Sequence, residues 1–148
     1  MRVAELLSLK SNLLVEIAET ENMLRASELI STAHVGMLLV KDSAGRLVGT
    51  LSERDLICHI ARNGQAAVRD RVSHALTPLE LTASAMDPVN DIMQIMTQKR
   101  VRHLPVLDDG KLVGVISIGD ILKSRIAEKD QETAILRDMA RASLAFAA

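Results

Sequence analysis

Apolar residues recur at helical spacing twice along the chain, at Met23, Ala26, Ile30 and Ala33 and again at Val89, Ile92, Met93 and Met96. Each series follows a short strand-like run, Leu14-Val15-Glu16-Ile17 in the first case and Leu79-Glu80-Leu81-Thr82 in the second. Behind each predicted helix stand two apolar runs joined by a glycine-containing turn, Met37–Val40 with Leu47–Leu51 and Leu104–Leu107 with Leu112–Ile116, which predict hairpins. These runs are apolar almost throughout, the pattern of strands buried on both faces. A closing helix starts at each Ser-x-x-Asp and runs through Leu56–Ile60 or Ile121–Ile126. Asp87-Pro88 marks the start of the second long helix, with Asp as N-cap and Pro in the first turn.

The two halves are copies. Gly45-Arg46-Leu47-Val48-Gly49-Thr50-Leu51-Ser52-Glu53-Arg54-Asp55 returns as Gly110-Lys111-Leu112-Val113-Gly114-Val115-Ile116-Ser117-Ile118-Gly119-Asp120. The offset is 66 before the hairpin turn and 65 after it, because Asp42-Ser43-Ala44-Gly45 is one residue longer than Asp108-Asp109-Gly110. Residues 1–65 and 66–127 each read as β-α-β-β-α, with a helix stop at Asn63-Gly64-Gln65 and a short joint over Ala66–Asp70. Residues 128–148, carrying Ile135, Leu136, Met139, Leu144 and Phe146 among charged neighbours, predict a helical tail that docks on the module or on a second subunit and frays at its Ala-rich end. The expected fold is α+β: two repeats related by a pseudo-twofold axis, small sheets packed together. A unit this small buries little core alone, so the seam between copies becomes the place for a ligand.

Composition narrows the chemistry. Of 148 residues 48% are hydrophobic, yet there is no Trp, no Tyr and one Phe, so the repeats offer no aromatic platform for a base. A formal charge of -1 with both signs interspersed disfavours nucleic acid and anionic membranes as partners. The single cysteine, Cys58, excludes an intrachain disulfide and fits a reducing compartment. The start lacks a signal-peptide pattern and no apolar run reaches the roughly 20 residues of a membrane helix, so a cytoplasmic protein is expected, without membrane insertion.

Gly-h-h-Ser-x-x-Asp, with h apolar, at a strand-to-helix junction combines a glycine that permits close approach, a hydroxyl at a helix N-terminus and a carboxylate in the first turn. Such parts suit a phosphate and the vicinal hydroxyls of a ribose, although Ser and Asp at a helix start also serve simply as caps. His34, His59, His74 and His103 form no metal-ligand spacing, and no nucleophile-base pair marks an enzyme.

With both Gly-x-x-Ser-x-x-Asp copies and the run Arg102-His103-Leu104-Pro105-Val106, residues 1 to about 127 resemble a tandem cystathionine-β-synthase (CBS) domain pair, or Bateman module. The resemblance implies a regulatory, non-catalytic module whose clefts take AMP, ADP, ATP, S-adenosylmethionine or a dinucleotide as regulatory ligand, with no obligatory cofactor. It places Asp55 and Asp120 on ribose, Ser52 and Ser117 on ribose or phosphate, and the base among Ile17, Met37 and Leu39 in one cleft and Thr82, Leu104 and Pro105 in the other. Arg102 and His103 are expected to serve phosphate in the second cleft, which makes it the favoured site, and Arg54 is either a phosphate ligand of the first or a solvated surface residue. The family implies a homodimer paired through helix faces, here those of Ile57, Ile60, Ile121 and Leu122, whose state an effector protein reads. The alternative is a ligand-silent dimerisation adaptor for a separate enzyme or transporter.

Overall fold

The periodicities translate into a linear order of elements that is nearly the expected one. The computed structural model describes residues 1–11 and 13–146, apart from the side chain of residue 146, and the expectations for Phe146 and the fraying Ala-rich end lie outside the described residues. The chain runs α1 (Val3–Ser8), β1 (Glu16–Ala18), α2 (Met23–Ala33), β2 (Met37–Lys41), β3 (Leu47–Ser52), α3 (Glu53–Asn63), two short 3-10 helices (Gly64–Arg69 and Val72–His74) and β4 (Thr77–Pro78). It continues through β5 (Ala83–Ser84), α4 (Val89–Lys99), β6 (His103–Asp108), β7 (Lys111–Ser117) and α5 (Ile118–Phe146).

Two sheets result. The first has the order β1-β2-β3-β4 and the second β5-β6-β7. In each, the leading strand pairs parallel with the next, Ile17 opposite Val40 and Ala83 opposite Val106, and an antiparallel hairpin follows, Met37 opposite Ser52 and His103 opposite Ser117. The register corrects the expected position of the second leading strand. It lies at Ala83–Ser84 rather than over Leu79–Thr82, and the buried residue matching Ile17 is Ala83, while Thr82 is exposed. Alternation of Leu79 and Leu81 mimics a strand, but this stretch links β4, which returns to the first sheet, to β5 in the second. β4 lies so close to β3 that a Cβ on Gly49 would collide with the Thr77 carbonyl and come within 2.7 Å of Leu76. The close approach for which Gly49 is suited is therefore made by β4.

Burial on both faces holds for β2, whose Met37, Leu38, Leu39 and Val40 are all buried, and for the middle of β6. It does not hold for β3 and β7, where Thr50, Ser52, Val115 and Ser117 are only half-buried because they face clefts. Met37 from β2 and Val115 from β7 line one cavity, so the sheets face each other across the seam. α4 begins at Val89 with Pro88 as N-cap, one residue later than expected. The Asp87 carboxylate instead accepts the Ser84 N–H at 2.7 Å and ties the turn after β5.

Each copy's core is completed by the segment leading into the other. Val3, Leu6 and Leu7 of α1 are buried among Val89, Ile92, Met96, Val106 and Ile121 of the second copy, whereas Val72 is buried among Ile17, Met23, Leu38 and Leu51 of the first. Backbone hydrogen bonds repeat the exchange: Val3 N–H donates to Asp87 and Val89 N–H to Met1, while Val72 N–H donates to Glu21 and Met23 N–H to Asp70. Ile121, expected on a dimer face, is fully buried in this core, leaving Ile57 and Leu122 as exposed members of that face.

α5 has no break after residue 127. It is a single helix of 29 residues, about 43 Å long at 1.5 Å rise per residue. Its first turns pack on α1 and α4, but residues 131–145 are all exposed, so this stretch does not dock on its own module. Among the described residues no helix is long and apolar enough to cross a membrane.

Candidate functional site

Both closing helices begin with the same reciprocal cap. The Ser52 hydroxyl accepts the Asp55 N–H at 3.2 Å while Asp55 Oδ2 accepts the Ser52 N–H at 2.8 Å, and Ser117 with Asp120 repeat this at 3.1 and 2.9 Å. The caps fix each carboxylate at the mouth of a cleft.

The helix ends facing them are also matched. α2 and α4 terminate in left-handed residues, His34 at φ 53 and Arg100 at φ 55, a conformation costly for a residue that carries a Cβ. Both residues face clefts, but not those of their own copy. Arg100 and Arg102 line the cleft that holds Ser52 and Asp55, and His34 lines the one that holds Ser117 and Asp120. Each cleft thus combines the carboxylate of one copy with the helix end of the other.

The first cleft encloses about 460 Å³, within the range of about 300–1,000 Å³ usual for small-molecule sites. Its polar wall holds Thr50, Ser52, Asp55 and Thr77. Among the described residues the donors to Asp55 are neutral, Ser52 N–H and Oγ to one oxygen and Thr77 Oγ1 at 3.2 Å to the other. Glu53, Arg54, Arg100 and Arg102 line the same cleft, the three arginines without an ion pair among the described residues. Arg102 therefore lines the first cleft rather than the second, for which it was expected. Arg100 and Thr77 are additions that the motif did not point to; the basic run Lys99-Arg100-Val101-Arg102 was the available signal for Arg100.

The second cleft, about 310 Å³, holds Lys10, His34, Val115, Ser117 and Asp120. Here Asp120 Oδ2 accepts a hydrogen bond from Lys10 Nζ at 2.6 Å. Partial burial alone would raise the Asp120 carboxyl, but hydrogen bonds from Lys10 and Ser117 outweigh it and hold the group below the ordinary carboxylate range.

Met37 and His103 occupy matched positions on β2 and β6 and line both clefts. The His103 ring lies against Gly36, and its burial lowers its pKa, against the opposing charges of Glu53 and Asp120. Of the other expected base contacts, Ile17 and Leu104 are buried in the cores of their own copies, and Leu39 and Pro105 are buried away from both cleft linings. Among the described residues no cluster of His, Cys, Asp and Glu has the makings of a metal site.

A family model, the CBS domain, matches residues 13–62 and again 72–127. A mitochondrial CBS domain-containing protein of Arabidopsis thaliana is 31% identical over 103 residues, covering 67% of this chain and 50% of that protein, so the chain spans about half of that relative's length. A CBS domain-containing protein of Bacillus subtilis is 25% identical over 122 residues, covering 80% of this chain and 84% of that protein. The crystal structure of a CBS-domain containing protein from Agrobacterium tumefaciens superimposes with a TM-score of 0.80 at 33% identity, covering 84% of this chain and 92% of that one. A Pyrobaculum aerophilum CBS domain protein complexed with AMP gives a TM-score of 0.72 at 27% identity, covering 81% and 89%.

Proposed function

Because the chain belongs to the CBS-domain family, with two domains in tandem, we propose that it is a non-catalytic sensor that takes an adenosine-containing nucleotide at the seam between its copies and passes that state to a partner. The observation that carries the reading is the meeting, in one cleft, of Asp55 with three guanidinium groups that form no ion pair among the described residues. The carboxylate, already oriented by Ser52 and Thr77, suits a ribose diol, and Arg54, Arg100 and Arg102 suit a phosphate that a solvated Lys would hold less directionally. The first cleft is thus the better nucleotide site.

Two copies of the chain pair, on this reading, through helix faces that include Ile57, Leu122 and Ile126, all more than half exposed. Exposed Ile135, Leu136, Met139 and Leu144 on α5 favour a second reading, an adaptor whose helix is the working part. Melting of the pure protein with AMP, ADP, ATP and S-adenosylmethionine separates the two. A ligand bound only by the folded state adds about 2.7 kcal/mol at a hundredfold excess over Kd, a rise of several degrees for a module of this size. A selective rise supports the sensor; a flat panel from nucleotide-free protein favours the adaptor.

A further inference from the structure

Asp55 and Asp120 hold matched positions but keep different company. Among the described residues all donors to Asp55 are neutral. Asp120 instead meets the ammonium of Lys10, a residue just beyond α1 and 110 positions away in sequence, with both side chains only about a quarter exposed, 27% and 26%. A charge-assisted bond of this length is among the stronger polar contacts a protein makes, and partial burial protects it from screening by salt. The oxygen that accepts Lys10 is the one that also accepts the Ser117 N–H. A ribose hydroxyl reaching this oxygen has to displace an ammonium, whereas at Asp55 it has to displace only the neutral hydroxyls of Ser52 and Thr77.

The surroundings reinforce the difference. The three guanidinium groups of the first cleft form no ion pair among the described residues, although Glu53 and Asp55 line the same cleft, whereas the Lys10 cation of the second is already paired with Asp120. On the premise that the seam binds adenosine nucleotides, we infer that Lys10 is the residue that determines ligand number: it closes the second cleft to ribose, so that each chain takes one nucleotide, in the first cleft. Lys10 reaches the second cleft because α1 packs on the second copy, so the exchanged lead-in segment carries this selectivity.

Equilibrium dialysis with radiolabelled AMP counts the sites per chain. Wild type is expected to bind one AMP, Lys10→Met two, and Lys10→Arg, which restores the cation, one. Asp55→Asn combined with Lys10→Met is expected to keep one site, the opened second cleft. Circular dichroism establishes that each variant is folded, and Lys10→Ala replaces Lys10→Met should the latter not fold. Two sites in wild type, or a single site in folded Lys10→Met, overturns the inference and leaves the nucleotide reading in place. No AMP bound by any of these proteins overturns the nucleotide reading, and this inference with it.

Discussion

Gly36 and His103 touch across the seam: a Cβ on residue 36 would lie 2.6 Å from His103 Cε1 and 2.7 Å from Nε2. These residues come from different copies and stand at the boundary of both clefts. Glycine at 36 therefore leaves the room in which the imidazole lies between the sheets. Gly36→Ala is expected to displace the ring at a cost of about 1 kcal/mol, the low end of overpacking because the ring borders two clefts, read as a lower urea midpoint. The double variant Gly36→Ala with His103→Ala should recover most of that loss. An unchanged midpoint in the single variant would show that the ring has somewhere else to go.

The exchanged lead-in segments make the copies mutually dependent. Val3 and Val72 are both fully buried, each in the core of the copy that does not follow it in sequence. Val72→Ala should cost about 2 kcal/mol, and the loss should appear as a shift of a single unfolding transition followed by circular dichroism. Two separated transitions, one of them unmoved, would contradict the exchange.

The pH dependence of stability follows from His103. Burial holds its pKa below the ordinary value of about 6.5, with Lys10 and Arg102 assisting and Glu53 and Asp120 opposing. Above that value the ring is neutral whether the chain is folded or not. As pH falls below about 6.5 the unfolded chain takes up a proton that the folded one resists, so stability declines until the folded-state pKa is passed. Urea unfolding between pH 7.5 and 5 should show a shallower decline for His103→Gln than for wild type. Equal slopes would remove His103 from the pH response.

Much of this architecture is legible in the residues themselves. Helical spacing at Met23, Ala26 and Ile30 and at Val89, Ile92 and Met96 locates α2 and α4, and the repeated Gly-x-x-Ser-x-x-Asp locates both caps. The two-residue strand Ala83–Ser84 escapes, because one buried Ala leaves no apolar alternation while Leu79 and Leu81 nearby imitate it. The partners of the cleft escape for a topological reason. Spacing within a copy pairs Arg102 with Asp120, whereas the fold crosses the copies and sets Arg102 in the cleft of Asp55. Lys10, a lone basic residue outside either motif, is placed by the packing of α1 and by nothing local.

Arg102 offers a test of the crossed arrangement. If its guanidinium meets phosphate in the first cleft, Arg102→Ala should weaken AMP about tenfold, the equivalent of about 1.4 kcal/mol, and leave adenosine nearly unchanged. Equal weakening of both ligands would mean that the side chain shapes the cleft rather than reads the phosphate.

Calorimetric titration of AMP into wild type and Asp55→Asn addresses the central claim most directly. The Asn retains an acceptor for the Ser52 N–H, so the cap and the fold should survive, and circular dichroism checks that they do. Saturable binding by wild type, lost in a folded Asp55→Asn, is the predicted result. Undiminished binding by that variant would contradict the assignment of the ribose to the first cleft.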